Sequence, residues 1–209
     1  IAGRVREELR AAVRYRKESD VPVGVFLSGG IDSSTNTALF SEDGSAPVKT
    51  FCIGYKGEHQ SYTNEFEYAR VIAKQVGADH HELSLDQDDL IDFLPRMIKL
   101  QDEPIADPVC VPVYFVSKLA RENGVTVAQV GEGADEIFFG YESWRRYLRL
   151  QQLDNLPVPR FAKKLALAGI DGWGRQDHPY REMLRRGING QPVFWCGADL
   201  MGEAKKRRV

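Results

Sequence analysis

An apolar run that ends at two glycines constrains the fold of this chain more than any other feature. Residues 21–27 (Val-Pro-Val-Gly-Val-Phe-Leu) are apolar on both faces, as in a strand buried inside a parallel sheet. Gly29 and Gly30 break this strand, and a helix is expected from about Asp32 to Phe40. Such a strand–turn–helix unit is typical of α/β folds.

The same alternation continues through the first 140 residues. An amphipathic helix is predicted at 3–17, before the first strand, because its apolar residues form one stripe. Further strands are predicted at 48–53, 81–85 and 125–130, with helical segments between them. The pattern predicts an α/β fold with a mostly parallel sheet flanked by helices on both faces. The loops after the strands would then lie along one sheet edge, where ligands bind such sheets.

Two of the connecting helices carry signals for their ends. Asn64 and Glu67 have the spacing of a capping box for a helix that ends at Gly77. The next helix is predicted to begin at Asp88, and Pro95 is expected to kink it.

Charge is distributed unevenly along the chain. Residues 1–140 carry 14 basic and 23 acidic side chains, whereas residues 141–209 carry 14 basic and 7 acidic ones. This split indicates two parts with different surroundings. We predict an α/β domain at 1–149 and a basic extension at 150–209, mainly helical or irregular, that is an incomplete continuation of the same domain. Nucleic acid is disfavoured as a partner, because the basic residues are not interleaved with aromatic residues in a binding motif.

The sequence argues against a membrane-spanning protein and against a secreted one. No apolar run approaches the ~20 residues of a membrane span, and the start of the chain has no secretory signal. The three cysteines lack a CxxC spacing, so neither a disulfide framework nor a zinc site is expected. Reduced thiols in a cytosolic protein are the expectation. Because the chain starts at Ile1 rather than Met, we expect that residues upstream have been removed.

Residues 28–34 (Ser-Gly-Gly-Ile-Asp-Ser-Ser) are well suited to bind phosphate. Gly29 and Gly30 let the backbone approach a ligand closely, and the free amides at the start of the helix form an anion site. Asp32 would suit a Mg²⁺ ion that bridges to phosphate, with a helix N-cap as the alternative role. Hydroxyl donors come from Ser28, Ser33 and Ser34.

A second segment rich in acids, residues 131–136, opens the helix after the last predicted strand. Glu132, Asp135 and Glu136 could each stabilise the start of that helix through its dipole. A functional role is the alternative for all three, and composition alone does not separate the two readings.

These two segments resemble a known family. Residues 28–34 resemble the pyrophosphate loop of the ATP pyrophosphatase (PP-loop) superfamily, whose members adenylate a carboxylate or carbonyl oxygen. Residues 131–141 (Gly-Glu-Gly-Ala-Asp-Glu-Ile-Phe-Phe-Gly-Tyr) resemble the synthetase domain of glutamine-hydrolysing asparagine synthetases and their amidotransferase relatives. Residues 80–82 and 102–108 are similar to that group as well. The resemblance covers about residues 1–147 and implies an adenine nucleotide alpha hydrolase-like fold.

The resemblance also implies roles for individual residues. Asp32 and Asp135 would share the Mg²⁺ ion, and Glu132 would act as the base. At the position of Glu132, asparagine synthetases carry a glutamate and β-lactam synthetases carry a tyrosine. The glutamate of this chain therefore favours ammonia as the nucleophile. The β- and γ-phosphates would be cradled by Ser28, Gly29, Gly30, Asp32, Ser33 and Ser34. The adenine and the rest of the nucleotide would contact Leu27, Ile53, Val130 and Gly131.

The implied reaction is ATP-dependent amide formation, in which the side-chain carboxylate of aspartate is adenylated and ammonia then gives asparagine, AMP and pyrophosphate. Two alternatives stay open: a related amidotransferase acting on a different carboxylic acid or peptide, and a nucleotide-binding fragment without turnover. A glutaminase domain is expected upstream, in a cytoplasmic protein, and a homodimer stays open as the assembly. The family also brings a lysine onto the phosphates from its C-terminal part, but no matching context surrounds Lys163, Lys164, Lys205 or Lys206.

Overall fold

A computed structural model describes residues 1–42, 44, 46–56, 65–103, 105, 107, 109–173 and 179–193. The chain divides into two compact units, residues 1–132 and residues 133–209. The predicted boundary after residue 149 is a different one, since it marks the end of the segment that resembles the family, and it stays a prediction. No helix in the described part of the chain is long and apolar enough to cross a membrane.

The first unit alternates strands and helices. In chain order its elements are α1 (Ala2–Lys17), β1 (Val23–Phe26), α2 (Ile31–Ser41), β2 (Lys49–Tyr55), α3 (Phe66–Val76), β3 (Asp79–Leu85), α4 (Gln87–Leu100), α5 (Cys110–Glu122) and β4 (Val127–Gln129). The described part of the second unit is helical, with α6 (Ala134–Phe138), α7 (Glu142–Asp154), α8 (Arg160–Gly172) and α9 (Pro179–Ile188).

The four strands form one sheet in the order β3-β2-β1-β4, and every pairing is parallel. Val25 in β1 lies opposite Thr50 in β2 on one side and Gln129 in β4 on the other. The chain builds outward from β1 to β3 and then returns to the other side of β1. This reversal creates a switch point at the carboxyl ends of β1 and β4, where open α/β sheets bind ligands.

Helices cover both faces of the sheet, which confirms the predicted α/β class. On one face Val25 and Leu27 pack against α1, α2 and α3, and on the other Phe51 packs against α5. Phe51 and Val25 are fully buried. Alternate strand residues point to opposite faces, so β1 (Val23–Phe26), which is covered on both faces, contains only apolar residues and a glycine.

The strands are placed as predicted but differ in length. β1 begins at Val23 rather than at residue 21, because Pro22 has no N–H to donate to a neighbouring strand. β3 begins two residues before the predicted start, and β4 contains only residues 127–129 of the predicted 125–130.

The helix ends show one confirmed signal and one shifted start. Gly77 ends α3 in the left-handed conformation, with φ of 65°, as predicted. α4 begins at Gln87, one residue before the predicted start at Asp88, and Asp86 caps it. The Asp86 carboxylate accepts a hydrogen bond from the Asp89 N–H, and the Asp89 carboxylate accepts one from the Asp86 N–H, both at 2.9 Å. The predicted capping box at Asn64 lies outside the described residues.

Several basic side chains in the described part of the second unit form hydrogen bonds within that unit. Lys163 donates to the carboxylate of Asp154 at 2.7 Å and to its backbone carbonyl at 2.8 Å. Arg185 and Arg186 both donate to Glu182. The Lys163 ammonium therefore fastens α8 to the end of α7, while Lys205 and Lys206 lie outside the described residues.

Candidate nucleotide-binding site

The loop between β1 and α2 turns on Gly29, which has a φ of +82°. A Cβ atom at this position would also lie 2.4 Å from Cβ of Tyr68 and 2.7 Å from the backbone nitrogen of Ala69 in α3. Only glycine satisfies both constraints, because other residues are strained at positive φ. The loop is thereby fixed between the sheet and the start of α3.

Replacing Gly29 with alanine should destabilise the first unit by about 2 kcal/mol or more, from backbone strain and steric overlap. Gly30 is the matched control, since it has a φ of −67° and an added Cβ would meet only Oγ of Ser28 at 3.4 Å. Urea unfolding of both variants measures the difference. Equal stability of the two variants would contradict the geometry of this loop.

Ser28 and Ser33 hold the loop in shape. The Ser28 N–H donates to Oγ of Ser33 at 3.2 Å, and the two hydroxyl oxygens lie 3.0 Å apart. The Ser33 hydroxyl also donates to the Gly30 carbonyl at 3.3 Å. Both residues line the cavity described below, so their predicted contact with phosphates stays a prediction alongside this bracing role.

Asp32 lies in the first turn of α2 without capping it. The N-cap position belongs to Gly30, and no side chain accepts a capping hydrogen bond there. The capping alternative for Asp32 is therefore wrong, which leaves its carboxylate available to a ligand. Ser34, in the same turn, has a buried hydroxyl with no hydrogen-bond partner among the described atoms.

Gly131 brings the second motif against the first. It follows β4, and a Cβ atom at this position would lie 2.8 Å from the carbonyl oxygen of Asp32 and 3.0 Å from the backbone nitrogen of Ser33. The strand end therefore touches the backbone at the start of α2. Any larger residue would separate the two segments, so the glycine is a packing requirement.

An open cavity of about 410 Å³ lies at the switch point, within the range of small-molecule sites. Its walls include the apolar ends of β1 and β2 and, from α5, Val113 and Val116. Leu27 is only 1% exposed, and the Glu132 carboxylate is exposed. The predicted site residues that line the cavity are Leu27, Ser28, Ser33, Ile53, Val130, Gly131 and Glu132.

The remaining predicted residues lie outside the cavity wall. Gly29, Gly30, Asp32 and Ser34 belong to the loop and the first turn of α2. Asp135 belongs to the second unit, so its sharing of a Mg²⁺ ion with Asp32 stays a prediction. The described residues contain no cluster of three or more His, Cys, Asp or Glu side chains able to hold a metal. One or two carboxylates with substrate phosphates are the usual Mg²⁺ ligands, so such a cluster is not required.

Glu136 has a structural role, which is one of the two roles that the sequence left open for it. Its carboxylate accepts a hydrogen bond of 2.6 Å from the Tyr141 hydroxyl, and this bond lowers the pKa of Glu136. The adjacent histidines of β3 are structural too. His80 bonds Thr50 at 2.8 Å, whereas His81 stacks on Phe51 at the other face of the sheet.

The sequence did not single out Cys52 and Glu65 as site residues, although both line the cavity. Burial, together with Glu65 and Glu82, raises the pKa of the Cys52 thiol to about 12, so this thiol is inert. Burial also raises the pKa of Glu65. The available signal for Glu65 was its place after the second strand, on the sheet edge that carries the other site residues.

Comparison with known proteins identifies the family. Residues 4–194 match the model of the asparagine synthase family. The chain is 39% identical over 206 residues to glutamine-hydrolyzing asparagine synthetase 1 of Bacillus subtilis, a match that covers 98% of this chain and 31% of that protein. It is 40% identical over 151 residues to a putative glutamine-hydrolyzing asparagine synthetase of Mycobacterium tuberculosis, covering 72% of this chain and 22% of that protein.

Among solved structures, the chain matches an NH3-dependent NAD synthetase from Campylobacter jejuni. It superposes with a TM-score of 0.44 and 13% identity, covering 96% of this chain and 99% of that one. The chain spans a third or less of the length of the two curated relatives. Because the family match extends over most of its residues, the chain belongs to the asparagine synthase family.

Proposed function

We propose that this chain is the synthetase part of an enzyme that uses ATP to convert the side-chain carboxylate of aspartate into an amide. The observation that supports this most is the contact between Gly131 and the start of α2. It brings residues 28–34, called the phosphate loop from here on, and Glu132 to one cavity, so a nucleotide and a base can act on the same substrate.

In this proposal the amides at the start of α2 hold the β- and γ-phosphates, favoured by the helix dipole. An oxygen of the aspartate side chain attacks the α-phosphorus, and the bond to pyrophosphate breaks. Ammonia then attacks the activated carbonyl carbon, Glu132 accepts a proton from the nitrogen, and AMP leaves with the electrons of the broken C–O bond. A Mg²⁺ ion held by Asp32 and Asp135 would neutralise the leaving pyrophosphate.

The names of the relatives support glutamine as the source of ammonia, through a glutaminase domain that the full-length protein carries upstream. A cytoplasmic location accords with the free thiols of Cys52 and Cys110. Both are proposals about the whole protein.

Isotope exchange between ATP and pyrophosphate tests the proposed reaction, with a panel of carboxylic acids and no ammonia present. Exchange that depends on aspartate is the expected result, because adenylation is reversible before the nucleophile attacks. Exchange with a different acid alone would replace aspartate as the substrate. Binding of Mg-ATP without exchange by any acid would contradict the reaction and favour a nucleotide-binding domain without turnover.

A further inference from the structure

Arg70 joins α3 to the edge strand β3 through a bidentate ion pair. Its Nε and Nη2 atoms donate to the two carboxylate oxygens of Glu82, at 2.8 and 2.6 Å. The Glu82 side chain is 21% exposed, whereas that of Arg70 is 60% exposed. Two parallel hydrogen bonds fix the orientation of both groups as well as their distance.

Glu82 is held in turn from the interior of the sheet. Its carboxylate lies 3.1 Å from Nε2 of His80, whose Nδ1 lies 2.8 Å from the hydroxyl of Thr50. Thr50 is fully buried in β2. Burial lowers the pKa of His80, and a neutral ring can donate to Glu82 while it accepts from Thr50. A hydrogen-bonded network therefore runs from the sheet core to Arg70.

The residues before Arg70 support the phosphate loop. A Cβ atom on Gly29 would overlap Tyr68 and Ala69, so the loop lies directly against α3. The buried side chains of α3 are Phe66, Ala69 and Ala73. Two of the three are alanines, which make few contacts, so apolar packing alone holds this helix weakly against sliding. The Arg70–Glu82 pair supplies a directional contact one residue beyond the one with Gly29.

We propose that Glu82 is a positioning residue for the phosphate loop: through Arg70 it fixes α3 against Gly29 and so sets the geometry in which the loop receives phosphates. Neither Glu82 nor Arg70 lines the cavity, so any effect on a ligand passes through α3. The inference rests on the proposed function, since it requires phosphates at this loop.

Binding of ATP and of inorganic pyrophosphate, both with Mg²⁺, tests the proposal by isothermal titration calorimetry on the full chain. Glu82→Gln and Arg70→Met should each weaken both ligands by the same factor, about three- to tenfold, as expected when members of one network are uncoupled. The double variant should lose no more than either single variant. Arg70→Lys keeps the charge but not the bidentate contact, and it should show a smaller loss.

Hydrogen exchange of the unliganded chain gives a second readout. Amide exchange at residues 28–34 should be faster in Glu82→Gln and Arg70→Met than in the wild type, because the loop loses a fixed support. Glu122→Gln is the matched control, since it breaks an ion pair with Lys118 within α5, on the opposite face of the sheet. This control should leave both affinities and the exchange of the loop unchanged.

The outcomes separate positioning from a contribution to stability alone. Lower thermal stability with wild-type affinities and wild-type loop exchange would refute the proposal, and so would additive losses in the double variant. If the wild type binds neither ligand, the proposed function fails, while exchange at residues 28–34 still decides whether Glu82 positions the loop. Arg70→Lys gives the result if the other variants do not fold.

Discussion

Replacing Glu132 with glutamine should lower the rate of amide formation by about 10²- to 10⁴-fold, the range that a positioned general base contributes. Glutamine keeps the size of the side chain but cannot accept a proton from ammonia. Adenylation does not need this proton transfer, so exchange of pyrophosphate into ATP should continue near the wild-type rate. The measurement combines amide formation from aspartate, ATP and ammonium chloride with the exchange assay.

Glu136→Gln is the matched control for this experiment, since Glu136 is an acid of the same motif whose carboxylate is held by Tyr141. It should retain most of the amide-forming activity. Loss of exchange and amide formation together in Glu132→Gln would show that Glu132 acts in nucleotide binding or folding instead. Full activity in that variant would remove it from the chemistry altogether.

Replacing Asp32 with asparagine should weaken the binding of Mg-ATP by at least about 100-fold, because even outer-shell groups around a metal contribute 10- to 100-fold. Asparagine keeps the shape of the side chain but loses the charge that Mg²⁺ requires. Without Mg²⁺, ATP affinity should stay constant or rise, since the variant no longer repels the phosphates. Titration of ATP with and without Mg²⁺ separates these effects.

Asp20→Asn removes the same charge from an exposed residue ahead of β1 and should leave both affinities unchanged. Equal weakening of ATP binding with and without Mg²⁺ would assign Asp32 to the loop structure. Unchanged Mg-ATP affinity would remove it as a metal ligand.

The strand, loop and helix that form the first half of the candidate site were predictable from the sequence because their signals are local. The apolar strand, the glycine pair and the helix start are neighbours in the chain, and each has its own backbone requirement. The α/β class followed in the same way, because strands apolar on both faces require helices on both faces.

The parts that the sequence left open depend on contacts between distant segments. Gly131 was expected to contact the nucleotide, but its packing against Asp32 requires β4 to lie beside β1. Glu65 lines the cavity because the first residues of α3 pack beside the carboxyl ends of β1 and β2. The start of α4 at Gln87 rather than at Asp88 has another cause, since three aspartates within four residues (Asp86, Asp88 and Asp89) offer the helix more than one cap.

The pairing of β1 with β4 has a consequence for when the candidate site forms during folding. Val23 in β1 meets Val127 in β4, so about a hundred residues separate the two halves of the site. Contacts this distant in sequence form slowly, because a long loop must close before they stabilise the chain. Residues 28–34 follow β1 directly in the chain, whereas Glu132, the proposed base, comes beside them only when β4 pairs with β1. Completion of the proposed site therefore requires completion of the sheet.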